Sequence, residues 1–132
     1  HEDTPLYQTF TDHHPEKNFR DTLKMIALSR ILMPKINIAA STAMQAIIKN
    51  GREQALLAGA NIIMPNVTDV KYRKYYRLYK DKPCTDENAS ECKYCLENRV
   101  KSIHEEIIYD EWGDSLHFIQ KNNSPDNPSE KR

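Results

Sequence analysis

The strongest chemical signal in the chain is a trio of cysteines, Cys84, Cys92 and Cys95, in a C-x7-C-x2-C spacing. A C-x2-C half-site puts two sulfurs within reach of one metal or one edge of a cluster. A third thiol upstream can reach the same centre across a loop. Three thiolates suit a 4Fe–4S cluster with one open iron position, or zinc completed by one histidine. His104 is the candidate for that fourth place.

Other residues of the right types are less informative. His13 and His14 are adjacent, so their side chains point apart on any regular element, and Pro15 follows; they read as a solvated loop. His1, Glu2 and Asp3 can ligate metals, but a terminus cut from a longer chain explains them better. Ser41 and Thr42 close one apolar segment, and Met64, Pro65 and Asn66 close another. At the carboxyl ends of parallel strands, where α/β proteins keep their ligand sites, these five residues form a cavity rim. Ser, Thr and Asn also begin helices well, and both readings stand. YRKYYRLY interleaves aromatic and basic groups as single-strand nucleic-acid binders do. Tyr72, Tyr75, Tyr76 and Tyr79 share one helical stripe, however, which favours packing on the body of the protein.

The elements that position these residues alternate. Residues 1–15 read as an irregular lead-in loop, polar and holding Pro5 and Pro15. Glu16–Leu32 reads as an amphipathic helix with Phe19, Leu23, Ile26, Ala27, Arg30 and Ile31 on one face, stopped by Pro34. Ile36–Ser41 is short and apolar, a buried strand. Asn50 then caps a helix from Gly51 to Ala58, with Gly59 in the left-handed position after it. Ile62–Met64 is a second buried strand, and Asp69–Tyr79 a further helix. Residues 80–95 form a cysteine-bearing loop, and Leu96–Ile108 a helix. Residues 84–119 thus make a cysteine-rich loop with its helix, and 120–132 a disordered tail.

Continuous apolar strands separated by helices pair in parallel through right-handed crossovers. The class is α/β, with residues 16–83 as the last helix–strand–helix–strand–helix units of a barrel. Two strands are not a complete sheet. A closed (β/α) barrel takes ~250 residues, and this chain of 132 residues supplies at most about half of one. Its start at His1 fits a piece of something longer.

Lys and Arg together number 19, matching the 19 Asp and Glu. A zero net charge argues against a general nucleic-acid-binding surface. No apolar run approaches the ~20 residues needed to span a bilayer, so no membrane partner is expected. An odd cysteine count without an apolar leader points to a reducing, cytoplasmic setting.

The stretch LKMIALSRILMPKINIAASTAM, then GREQALLAGANIIMPN, then YRKYYRLY resembles the last quarter of the biotin-synthase-like radical S-adenosylmethionine enzymes. Within that family the match is nearest to the FeFe-hydrogenase maturase group. An HxDTP segment there corresponds to His1-Glu2-Asp3-Thr4-Pro5. The GRE, AGAN and MPN pieces are Gly51-Arg52-Glu53, Gly59-Ala60-Asn61 and Met64-Pro65-Asn66. Some members carry a C-x7-C-x2-C auxiliary cluster site, which Cys84, Cys92 and Cys95 match in spacing. The resemblance implies a (β/α) TIM-type barrel. In it a 4Fe–4S cluster cleaves S-adenosylmethionine, and the resulting radical attacks a small-molecule substrate in the cavity.

This chain departs from the family pattern in lacking the CxxxCxxC of the radical-generating cluster, and alone it should be inactive. Its expected partner is the N-terminal part of its own barrel, with self-association of the isolated chain as a further expectation. Biotin synthase has an Arg ligand to a second cluster where this chain has Ala39. A biotin synthase or methylornithine synthase relative, or a stand-alone iron–sulfur or zinc-binding interaction module, are the alternatives.

Overall fold

A computed structural model describes residues 5–9, 14–76, 81–85 and 88–123. Its backbone is mainly helical. The longest element, α2 (Pro15–Leu32), begins with proline at its first turn, where the missing N–H costs nothing, and carries Glu16 there and Arg30 in its last turn, both favourable to the helix dipole. Phe19 and Ile26 are buried, and Leu23 packs beside them, as the spacing predicts. Ile31 does not join them and is 76% exposed. It lies about 100° around the helix from Arg30, which occupies the inward position instead.

Arg30 bends back into the fold. Its fork donates to the carbonyls of Gly59 (2.8 Å), Pro34 (2.8 Å) and Ile36 (2.9 Å) and to Asn61 Oδ1 (2.9 Å). Asn61 Oδ1 also accepts from the Ile38 amide. One guanidinium therefore fixes the end of α2 against both segments expected to be strands.

Those segments do pair in parallel, but only through one bridge, Ala39 to Ile62. Ala40 N–H donates to Ile62 O, and the Asn61 and Ile62 amides donate to Ile38 O. No longer strand forms among the described residues, and the barrel portion expected from the alternation is not seen. Each segment has one paired edge, and a parallel pair gains its stability from neighbours on both sides.

A helix not anticipated from the sequence, α3 (Thr42–Ile47), follows at once, capped by the Ser41 hydroxyl on Ala43 N–H. It meets α4 (Gly51–Leu57) in a tight elbow. A Cβ on Gly51 would fall 2.1 Å from the Met44 carbonyl oxygen, so only glycine fits there. Asn50 precedes α4 but does not cap it; its side chain accepts from Gln54 Nε2 instead. Gly59 has φ +118°, the positive value expected after the helix. The core joins Phe19, Ile26, Ala40, Met44, Ala55 and Ala60.

Elsewhere the boundaries move. The lead-in segment holds a short helix, α1 (Pro5–Thr9). The tyrosine helix is one turn of α-helix, α5 (Val70–Arg73), continued as a 3-10 turn at Lys74–Tyr76. Tyr79 lies outside the described residues. α6 (Ala89–Lys101) takes in the second half of the expected cysteine loop, because Asn88 and Glu91 form a reciprocal capping box at its start. It ends at Lys101 rather than Ile108. The expected tail begins instead within a helix, α7 (Leu116–Asn122), capped by Ser115; residues 124–132 lie outside the described ones.

Candidate functional site: the Asn66 junction and the cysteines

Two of the three cysteines sit on α6. Cys92 and Cys95 are one turn apart, and Cys92 is buried at 1% exposure with Leu96 and Val100. Cys84 lies on the preceding loop at φ +61°, a left-handed conformation that costs a non-glycine residue free energy. No disulfide involves any of the three.

Asn66 joins the two cysteine segments. Its backbone N–H donates to Cys92 Sγ (3.2 Å), and its side-chain amide donates to the Cys84 carbonyl (3.0 Å). Its Oδ1 accepts from the Thr68 amide. Arg73, only 3% exposed, completes the junction. It donates to the carbonyls of Thr68 (2.7 Å), Asn66 (2.9 Å) and Cys84 (3.2 Å). The inward face of the tyrosine segment is therefore the arginine. Tyr72, Tyr75 and Tyr76 are 51%, 71% and 54% exposed, contrary to the packed stripe expected from their spacing. The change from α to 3-10 winding breaks that stripe. Lys71 and Lys74 lie over the rings of Tyr72 and Tyr75.

Cys95 has a different neighbourhood. Arg99, one turn on, donates to Glu53 Oε1 (2.6 Å) and to the Lys49 carbonyl (3.2 Å), tying α6 to α4. Burial alone would lower the Arg99 guanidinium, but hydrogen bonds to Cys95 and Glu53 outweigh it and hold its pKa above the ordinary value.

Thiolates are the right donors for an iron–sulfur cluster. Their placement does not make one: among the described residues no group of three or more His, Cys, Asp or Glu side chains is set to hold a metal ion. His104 is no substitute. It is exposed, beyond the end of α6, and α6 rises about 9 Å between Cys95 and Lys101. His14 is exposed before α2, and His13 lies outside the described residues.

The rim residues follow the parallel bridge, as expected from their places in the sequence. Ser41 is the α3 cap, and Thr42 begins that helix, half-buried. Met64 is 60% exposed, with Pro65 exposed beside it. Asn66 is spent on the cysteine junction. Neither Arg73 nor Arg99 carries a sequence signal for a site role, and Glu53 carries one only as part of the GRE piece. Arg73 sits in a basic run that reads as solvated, and Glu53 and Arg99 are 46 residues apart with no local pattern to link them.

Residues 1–103 match the Biotin and Thiamin Synthesis associated domain, and the chain belongs to that family. It is 44% identical over 103 residues to the [FeFe] hydrogenase maturase subunit HydE of Thermotoga maritima, a match covering 78% of this chain and 28% of that protein. The chain is thus a HydE-like C-terminal part of the radical S-adenosylmethionine kind, as the GRE, AGAN and MPN segments suggest. It spans little more than a quarter of the relative's length. No helix among the described residues is long and apolar enough to cross a membrane.

Proposed function

We propose that this chain works as the C-terminal part of a radical S-adenosylmethionine maturase that helps assemble the FeFe-hydrogenase active-site cluster. The observation that carries this reading is the 44% identity to HydE over 103 residues. In the family, S-adenosylmethionine cleavage rests on a 4Fe–4S cluster held by a CxxxCxxC, and this sequence has no such motif. On this reading the chain supplies a wall and rim of the substrate cavity, no catalytic residue, and no activity alone.

The exposed apolar stripe of α2 supports a missing neighbour. Met25, Leu28 and Leu32 are 59%, 48% and 69% exposed on the side away from the core. Stripes of that kind mark interaction surfaces, and the rest of the chain's own barrel is the partner this reading requires. Ser41, Thr42, Met64, Pro65 and Asn66 would then border the cavity at the carboxyl ends of the paired segments.

The test is reconstitution with the rest of the parent barrel under reducing conditions. Release of 5′-deoxyadenosine from S-adenosylmethionine, and restored hydrogenase activity in cells lacking their own maturase, are the expected results. Cleavage by this chain alone, or an assembled barrel that cleaves nothing, would overturn it.

A second cluster at Cys84, Cys92 and Cys95 is a separate part of the proposal. The shared contact through Asn66 favours it, because Cys84 and Cys92 lie against the same residue. As placed, the three thiols are not yet a ligand group, and the site would need local rearrangement to become one.

A further inference from the structure

Beyond the family-matched residues 1–103, the chain continues as a strap, 104–115, followed by α7. Residues 105–114, EEIIYDEWGD, hold five carboxylates and no lysine or arginine. The strap is not loose. Tyr109 OH donates to Glu97 Oε1 (2.6 Å), and Lys93 lies over the Tyr109 ring at 4.5 Å. Asn37 Nδ2 donates to the Gly113 carbonyl (2.7 Å), and His117 N–H donates to the Lys35 carbonyl (3.1 Å). These anchors fix the strap along α6 and against residues 35–37. They leave Trp112 and Ile108 outward, 92% and 79% exposed. A tryptophan held out on a pinned acidic segment is costly to leave in water and is the residue type most enriched at binding hot spots.

The complementary surface is on the same molecule. Residues 70–76 carry Lys71, Arg73 and Lys74 and no carboxylate. Arg73 is turned inward, while Lys71, Lys74 and the rings of Tyr72, Tyr75 and Tyr76 face solvent. The Asp69 carboxylate pairs with Lys71 at 3.3 Å, but so exposed a pair is weak and leaves the ammonium available. The two patches have opposite charge and the same aromatic character. Within a chain of zero net charge, the strap is a local acidic patch and the tyrosine face a local basic one.

We propose that the acidic, tryptophan-bearing strap of one copy docks on the basic tyrosine face of a second copy. Carboxylates Glu106 and Glu111 would meet Lys71 and Lys74, and Trp112 would stack on the exposed tyrosine rings or under a lysine ammonium. Because the two surfaces differ, the contact is heterologous. It closes into a ring or runs on as a chain according to the rotation it imposes. The proposal is independent of the maturase reading, since it uses none of the five residues given to the rim.

Sedimentation velocity of the full chain tests it. Mass should rise with concentration at low salt and fall back at high salt, where exposed charges are screened. The double variants K71E/K74E and E106K/E111K should each weaken association at least about tenfold, because like charges then face each other. All four positions are exposed, and circular dichroism should show the fold kept. Mixed in equal amounts, the two variants should associate again, since each now offers the surface the other lacks. A monomer at every concentration at low salt overturns the proposal. So does association that both variants leave unchanged, or a mixture that stays apart.

Discussion

Asn66 aims its backbone N–H at the sulfur of Cys92 across 3.2 Å, joining the end of the parallel pair to the first turns of the cysteine helix. The same residue holds the Cys84 carbonyl through its side chain. The MPN segment and the cysteine trio are therefore one structural unit, although 18 residues separate Asn66 from Cys84. This unit is what the Asn66 side chain serves in the described structure.

Asn66→Leu should accordingly destabilise the chain. It removes the donor to Cys84 and the acceptor for Thr68; the Cys84 carbonyl keeps Arg73 and the exposed Thr68 amide turns to water, so the cost is the two lost bonds, about 1 kcal/mol each. Thermal unfolding reads this directly. Equal stability of Asn66→Leu and the parent would show that the junction holds nothing together.

Arg30 gives a second, larger effect. Four acceptors depend on its fork, three of them backbone carbonyls from different turns of the chain. Arg30→Ala should lower stability by about 2–4 kcal/mol, since bonds to a charged group are worth more than neutral ones. Arg30→Lys should recover little of that, because an ammonium cannot present the planar fork that meets separated acceptors together. Denaturant midpoints for the two variants decide it: a lysine variant close to wild type would mean charge, not geometry, is what matters.

Much of this architecture is legible in the sequence, and the reasons for the rest are specific. The 3-and-4 spacing from Phe19 to Arg30 gave the longest helix, because a core face and a proline stop agree there. The pairing of the Ile38 and Ile62 segments, and its parallel sense, followed from helix alternation, but its extent did not: alternation implies continuous strands, and the described residues make one bridge. α3 was hidden because Ser41 and Thr42 serve equally as a strand end or a helix start. Local patterning placed the tyrosines inward, yet the buried group is Arg73, which finds three carbonyls there. Cysteine spacing identified the trio, but spacing carries no information about Asn66, whose backbone amide meets Cys92 from a different element.

The two structural glycines should differ in sensitivity. Gly51→Ala forces a methyl to within 2.1 Å of the Met44 carbonyl, a backbone atom held by the α3–α4 elbow, so the elbow must open. Gly59→Ala meets the Arg30 Cβ at 2.9 Å and a positive φ, a strain of about 1–3 kcal/mol. Gly51→Ala should therefore be the more damaging, and proteolysis of the two variants under native conditions should cut it faster. The reverse order would mean the elbow relaxes easily.

The last expectation concerns alkaline pH. The Tyr109 hydroxyl donates to Glu97, and that bond, with the nearby carboxylate charge, pushes its pKa up from 10.0 to about 12. The raised pKa belongs to the folded chain, so the bond stabilises the strap fully below the ordinary tyrosine value. That contribution is lost as pH rises through about 12, when a phenolate would face a carboxylate. Weakening of the strap should therefore begin where free tyrosines ionise, near 10.0, and be complete by about 12. Phenolate absorbance should show a late-titrating component that is lost in Tyr109→Phe. Glu97→Gln keeps an acceptor but removes the negative charge, and should bring that titration back toward the ordinary range. A late tyrosine that persists in Tyr109→Phe would place the shifted group elsewhere and leave the strap to its other anchors, among them Asn37 and Lys35.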